Sequence, residues 1–240
     1  MFPAFEVVPA IDVQDGQVVQ LVGGERGTGR TYGDPIDAAE QWTAAGAETL
    51  HLVDLDGAFE GERANADAIE RVVDATDATV QVGGGIRTVA DALGLFDAGV
   101  DRVILGTAAV EEPSIVERIA DRGSGQVIVS LDAKDGEVVV EGWTEGTGMD
   151  PVEAADRYET LGAAGILFTD VDVEGQLEGV RTTALAAMAD AVDIPVIASG
   201  GVASISDLRA LKAAGAAAAV VGTALYEGRF TLADATAAVS

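Results

Sequence analysis

The chain has no cysteine and a single histidine, His51. Without cysteine there is no disulfide, no thiolate nucleophile and no cysteine-based metal site. One histidine leaves no histidine-rich metal cluster and makes a Ser-His triad a poor reading. Lysine is nearly missing too, with Lys134 and Lys212 the two in 240 residues. Acidic side chains outnumber basic ones 41 to 14, for a net charge of −27. A surface that negative repels phosphate backbones and anionic lipid, so neither a nucleic-acid nor a membrane partner is expected. No apolar run approaches the roughly 20 residues that span a bilayer. The start, Met1-Phe2-Pro3-Ala4-Phe5-Glu6, lacks the basic and then apolar profile of a signal peptide. A cytoplasmic location is therefore expected.

What is present is an apolar content of 48 %, too high for a disordered acidic chain. Together these read as a folded protein adapted to molar salt, where a Debye length of about 3 Å screens self-repulsion. Eight short apolar runs occupy residues 7–11, 49–53, 79–82, 102–105, 126–131, 165–168, 195–198 and 218–221. They are continuous rather than alternating, as strands buried on both faces of a parallel sheet must be. Amphipathic stretches at 35–45, 64–74, 89–98, 113–120, 151–161, 182–191, 205–214 and 232–239 predict helices between them. Asp34-Pro35, Glu112-Pro113 and Asp150-Pro151 place a proline just inside a helix after an acidic residue. Eight such units predict a single-domain (βα)8 TIM barrel over residues 1–240, with a doubly wound open sheet as the alternative.

The pattern is doubled. Ile11-Asp12-Val13-Gln14-Asp15-Gly16 returns as Leu131-Asp132-Ala133-Lys134-Asp135-Gly136, 120 residues on. Gly84-Gly85 returns as Gly200-Gly201, and Gly106-Thr107 as Gly222-Thr223, both 116 residues on. Two duplicated half-barrels are predicted, roughly 1–122 and 123–240. Glycine-rich segments 14–34 and 135–150 are longer than a turn needs and read as lids. Arg26, Arg30 and Trp143 are the lid side chains suited to an anionic, aromatic ligand.

Gly84, Gly85 and Arg87 stand between a strand and a helix, as do Ser199, Gly200 and Gly201. Glycine there lets backbone amides approach an anion, and the following helix adds N-terminal donors. With Gly106-Thr107 and Gly222-Thr223 they predict two phosphate cups, hence a substrate with a phosphate at each end. Asp12 and Asp132 end strands one and five, opposite each other across an eight-stranded barrel. Between two cups, such a pair reads as a general base and a general acid. Thr169 ends strand six, where it can hydrogen-bond substrate beside the acid. Asp54 and Asp170 either orient neighbours, touch hydroxyls or serve the fold alone. His51 lies inside strand two and reads as a buried, hydrogen-bonded core residue.

Pro9-Ala10-Ile11-Asp12, Tyr32-Gly33-Asp34-Pro35, Leu50-His51-Leu52-Val53-Asp54-Leu55, Gln81-Val82-Gly83-Gly84-Gly85-Ile86-Arg87, Gly142-Trp143 and Thr169-Asp170 occur in that order. The chain thereby resembles the ProFAR isomerases of histidine biosynthesis along essentially its whole length. The resemblance implies a barrel without metal or organic cofactor and without an obligate protein partner. It implies an Amadori rearrangement of a small bis-phosphorylated aminoaldose to its aminoketose. It places the base on Asp12, the acid on Asp132 and an assisting threonine on Thr169. Two positions depart from the family: Gln20 stands where arginine is common, and Glu174-Gly175-Gln176 replaces Asp-Gly-Thr. Three other readings remain open. One is a bifunctional isomerase that also takes phosphoribosyl anthranilate, another the cyclase subunit of imidazole-glycerol-phosphate synthase. The third is a catalytically silent phosphate-binding barrel.

Overall fold

The fold is described from a computed structural model that covers residues 1–240 apart from positions 62, 124, 141 and 178. The first half runs β1 (Glu6–Gln14), β2 (Gln17–Gln20), β3 (Arg30–Thr31), α1 (Pro35–Ala44), β4 (Thr49–Asp54), α2 (Leu55–Glu60), α3 (Ala66–Ala75), β5 (Thr79–Gly83), α4 (Val89–Asp97), β6 (Arg102–Leu105), α5 (Thr107–Glu111) and α6 (Ser114–Ala120). The second runs β7 (Gln126–Lys134), β8 (Glu137–Val140), β9 (Glu145–Gly146), α7 (Pro151–Thr160), β10 (Gly165–Asp170), α8 (Thr183–Ala191), β11 (Val196–Ser199), α9 (Ile205–Ala213), β12 (Ala218–Val221), α10 (Thr223–Tyr226) and α11 (Leu232–Val239).

Eight strands pair in parallel around a closed ring, in the order β1, β4, β5, β6, β7, β10, β11, β12 and back to β1. This is the predicted TIM barrel. Two apolar layers hold it. Alternate strand residues such as Val8, Ala10, Ile104, Ile128, Leu167, Ile197 and Val220 fill the interior. The others, among them Ile11, Leu52, Val82, Leu105, Leu131 and Phe168, meet the helices outside. Burial on both faces is why these runs read as continuous rather than alternating.

Local chemistry sets the boundaries. Pro35 and Pro151 open α1 and α7 behind Asp34 and Asp150, whose carboxylates accept from Ile36 N and Val152 N at 2.8 Å each. Pro113 departs from that expectation by forming the cap itself, with α6 starting one residue later. The lid segments also hold more structure than their glycines announce. Asp15-Gly16 and Asp135-Gly136 take positive φ and turn β1 into β2 and β7 into β8 as antiparallel hairpins. The one-turn helices α2, α5 and α10 follow strands directly; none was apparent from the sequence. Among the described residues, no helix is long and apolar enough to cross a membrane.

Candidate active site

At the C-terminal ends of the barrel strands lies a cavity of about 450 Å³, within the size range of small-molecule sites. Asp12, Asp132, Thr169, Arg87, Trp143 and every glycine, serine and threonine of the two sequence-predicted cups line it. Arg26 and Arg30 do not. Arg26 pairs with Glu60 and lies over the Phe59 ring, while Arg30 reaches Glu227 at 3.8 Å.

The two glycine turns are near copies. Gly84 and Gly85 have φ of +93° and +70°, and Gly200 and Gly201 +95° and +73°. L side chains rarely adopt such values, and space forbids one as well. A Cβ on Gly84 would stand 2.1 Å from the Asp54 carbonyl oxygen, and one on Gly201 2.5 Å from that of Gly179. Backbone packing of this closeness holds both turns against the cavity. The amides just ahead of the helices that follow are taken by the capping boxes of α4 and α9. Asp91 takes the Thr88 and Arg87 amides at 2.8 and 3.2 Å, and Asp207 those of Ser204 and Ala203 at 2.9 and 3.0 Å. The short helices α5 and α10, opening at Thr107 and Thr223 behind Gly106 and Gly222, stand beside the turns instead.

Beneath each cup a pair of aspartates is clamped by residues at mate positions 65 and 181, 116 apart. In the first half Asn65 Nδ2 donates to Asp54 Oδ1 at 2.6 Å and Asp56 Oδ2 at 2.8 Å. Asp54 is fully buried and also accepts from Gly57 N at 2.9 Å, capping α2. In the second half Arg181 holds Asp170 (Nε to Oδ2, 2.8 Å) and Asp172 (Nη2 to Oδ2, 2.7 Å). Asp54 and Asp170 thus brace the strand ends.

Strands β1 and β7, first and fifth in the ring, bring Asp12 and Asp132 into the cavity from opposite walls. Trp143 Nε1 donates to Asp132 Oδ2 at 2.8 Å and Ser130 Oγ to Oδ1 at 3.0 Å. Trp143 has φ of +70°, a strained value for so bulky a residue, and its ring covers the bare Cα of Gly24 in the first lid. Gln20 is buried; its Nε2 donates to Asp12 at 3.3 Å and its Oε1 accepts from Thr223 Oγ1 at 3.4 Å. A neutral amide thus links Asp12 to the second cup. Burial pushes the Asp12 carboxyl up from 3.8 to about 7, against a small opposing effect of the Gln20 bond.

Glu174 is a further acidic residue of the site, marked by no repeat in the chain. It faces the same cavity, and its Oε2 lies 2.8 Å from where a Gly200 Cβ would be. Burial, then the Asp12 and Asp132 charges, raise it to about 7. Its mate at the 116-residue offset is Ala58, so no repeat could reveal it. Three carboxyls share one cavity, and near neutral pH they hold fewer charges than carboxyls. That arrangement provides a base and an acid at once. Among the described residues, no three histidine, cysteine, aspartate or glutamate side chains are grouped to hold a metal ion.

Residues 6–231 match the family model described as histidine biosynthesis protein. The chain is 73 % identical over 239 residues, all of both chains, to the 1-(5-phosphoribosyl)-5-((5-phosphoribosylamino)methylideneamino)imidazole-4-carboxamide isomerase of the haloarchaeon Natronomonas pharaonis. It is 74 % identical to the isomerase of the same name from Halobacterium salinarum, over 99 % of this chain and 98 % of that one. It is 50 % identical to that from Methanosarcina barkeri, over 95 % of each.

Proposed function

This chain belongs to the histidine biosynthesis protein family, in its ProFAR isomerase branch, and from that premise we propose how its cavity performs the aldose–ketose conversion of ProFAR to PRFAR. The observation that carries the reading is a pair of carboxyls on opposite barrel walls between two glycine cups. A substrate with a phosphate at each end fits that layout. The cups hold its ends and keep their charges away from the reacting carbons, so binding supplies orientation.

In this reading Asp132 is the general acid that gives a proton to the ribose ring oxygen and opens the ring to a protonated imine. Asp12 is the general base that takes the proton from C2′, and the electrons form the C1′–C2′ double bond of an enolamine. Loss of the O2′ proton and protonation of C1′ then yield the ketose. A base at about 7 is stronger than an exposed aspartate yet half ionised at neutral pH, near the optimum for proton transfer. Glu174, also raised to about 7, is about half protonated at neutral pH and is the proton reserve that recharges Asp132 between turnovers. Thr169, buried and paired in register with Asp132, steadies the sugar beside the acid. Trp143 presents its ring to the substrate's aromatic half.

Turnover of ProFAR, followed spectroscopically with purified protein in molar KCl, tests the reading. Asp12→Asn is expected to lose isomerisation by at least about 10³-fold while PRFAR binding stays within about tenfold. Near-native turnover by that variant removes Asp12 from the role. Tight PRFAR binding by a wild-type protein that does not turn over points to the silent barrel instead.

A further inference from the structure

His51 matches its expected place in the core on one side only. The ring sits on β4 facing into the barrel, opposite Gln81 on β5 in the strand register. Its Nδ1 lies 2.9 Å from Gln81 Nε2. The amide N–H donates there, so Nδ1 is the lone-pair nitrogen and the ring proton sits on Nε2. Gln81 is fully buried, and its Oε1 has no partner among the described residues. Turning the amide over would strand its two N–H donors instead, and a buried donor without an acceptor is the rarer and costlier defect.

Nε2 has no protein partner among the described residues, yet it is not sealed in. His51 borders the cavity along with Ala10 and Ser130, which precede Asp12 and Asp132 by two residues on the same faces of their strands. An N–H donor therefore faces the cavity floor, below the two carboxyls. Burial lowers the imidazole to about 4, so it stays neutral at physiological pH.

We propose that His51 is a catalytic hydrogen-bond donor to the sugar, its Nε2–H holding the C2′ oxygen as that atom passes from hydroxyl to ketone. The proposal rests on the isomerase reading above. When the enolamine gives up its O2′ proton and C1′ is protonated, negative character gathers on the C2′ oxygen as it becomes the ketone, and a fixed donor at that oxygen is stronger in the transition state than in the ground state. His51 gives up no proton in this; the O2′ proton leaves to a carboxylate of the cavity, and the imidazole remains neutral throughout. Aldose–ketose chemistry elsewhere uses a neutral imidazole in the same capacity.

The chain's one histidine makes the test direct, because ¹⁵N-histidine labelling reports a single ring. The free protein is expected to show Nε2 protonated and Nδ1 bare between about pH 5.5 and 8. Saturation with PRFAR is expected to shift the Nε2–H signal and leave Nδ1 in place. In turnover, His51→Leu is expected to lower kcat by about a hundredfold with KM within about threefold. His51→Gln, which can present an amide N–H in the same direction, should retain activity within about tenfold of wild type. A proton on Nδ1, an Nε2 signal indifferent to PRFAR, or a folded His51→Leu with kcat within about threefold of wild type overturns the proposal. If the leucine variant does not fold, the wild-type spectra decide. Wild-type turnover is measured first: its absence defeats the isomerase reading and this proposal with it. Intact wild-type turnover alongside an indifferent leucine variant defeats the role of His51 alone.

Discussion

Replacing Asp12 by asparagine is expected to stabilise the protein while silencing it, and the gain must depend on pH. The carboxyl's pKa is about 7 in the fold against 3.8 ordinarily, so the bound proton favours the folded state. That contribution is complete below about pH 4 and is lost as pH rises through about 7. A tenfold difference in proton affinity is worth about 1.4 kcal/mol, so the interval amounts to at most about 4 kcal/mol at pH 8. Asp12 opens on a cavity that admits water and shares charge with Glu174, which brings the range to about 2–4 kcal/mol. The substituted amide has no charge to desolvate, and its oxygen can still accept from Gln20. Thermal unfolding of both proteins in molar KCl should show the variant melting about 5–15 °C higher at pH 8, with little difference near pH 4. The same melting difference at every pH, or a variant less stable than its parent at pH 8, would refute the reasoning.

Further substitutions probe the rest of the site. Gly84→Ala puts a Cβ 2.1 Å from the Asp54 carbonyl at φ of +93°, so denaturant titration should show a loss of about 2 kcal/mol or more and the KM for ProFAR should rise at least about tenfold. Asn65→Leu leaves the buried Asp54 and Asp56 without their shared donor and is expected to cost about 3–5 kcal/mol. Arg181→Leu should cost only about 1 kcal/mol because its guanidinium is half exposed, so urea unfolding should rank the two clearly. Trp143→Phe keeps the ring over Gly24 but removes the bond to Asp132; steady-state kinetics should show kcat down about tenfold with KM within about threefold, the worth of one hydrogen bond.

The barrel was legible because its strands are buried twice over, as runs such as Val127, Ile128 and Val129 show, and because eight strand–helix units follow one another in two matching halves. Asp12, Asp132 and the glycine turns were legible because the chain states each of them twice. What escaped is what the two halves do not share. Glu174 answers to Ala58, and Gln20 and His51 take their meaning from a partner on another strand, which no spacing along the chain reports. The one-turn helices escaped for a different reason. The residues of α10, Thr223 to Tyr226, are too few for a 3.6-residue period to show. Asp15-Gly16 and Asp135-Gly136 are the turn signals of the hairpins β1–β2 and β7–β8, but the glycine-rich stretches after them hide how far pairing extends.

The clamps at positions 65 and 181 answer differently to dissolved salt. An amide carries no charge for dissolved ions to shield, so Asn65 grips its two aspartates equally in dilute and concentrated solution. Arg181 grips through charge and stands half in the solvent, where added ions weaken its hold. Rising salinity thus loosens the loop under the second glycine turn and leaves that under the first untouched, and the twofold kinship of the halves breaks in their response to the medium.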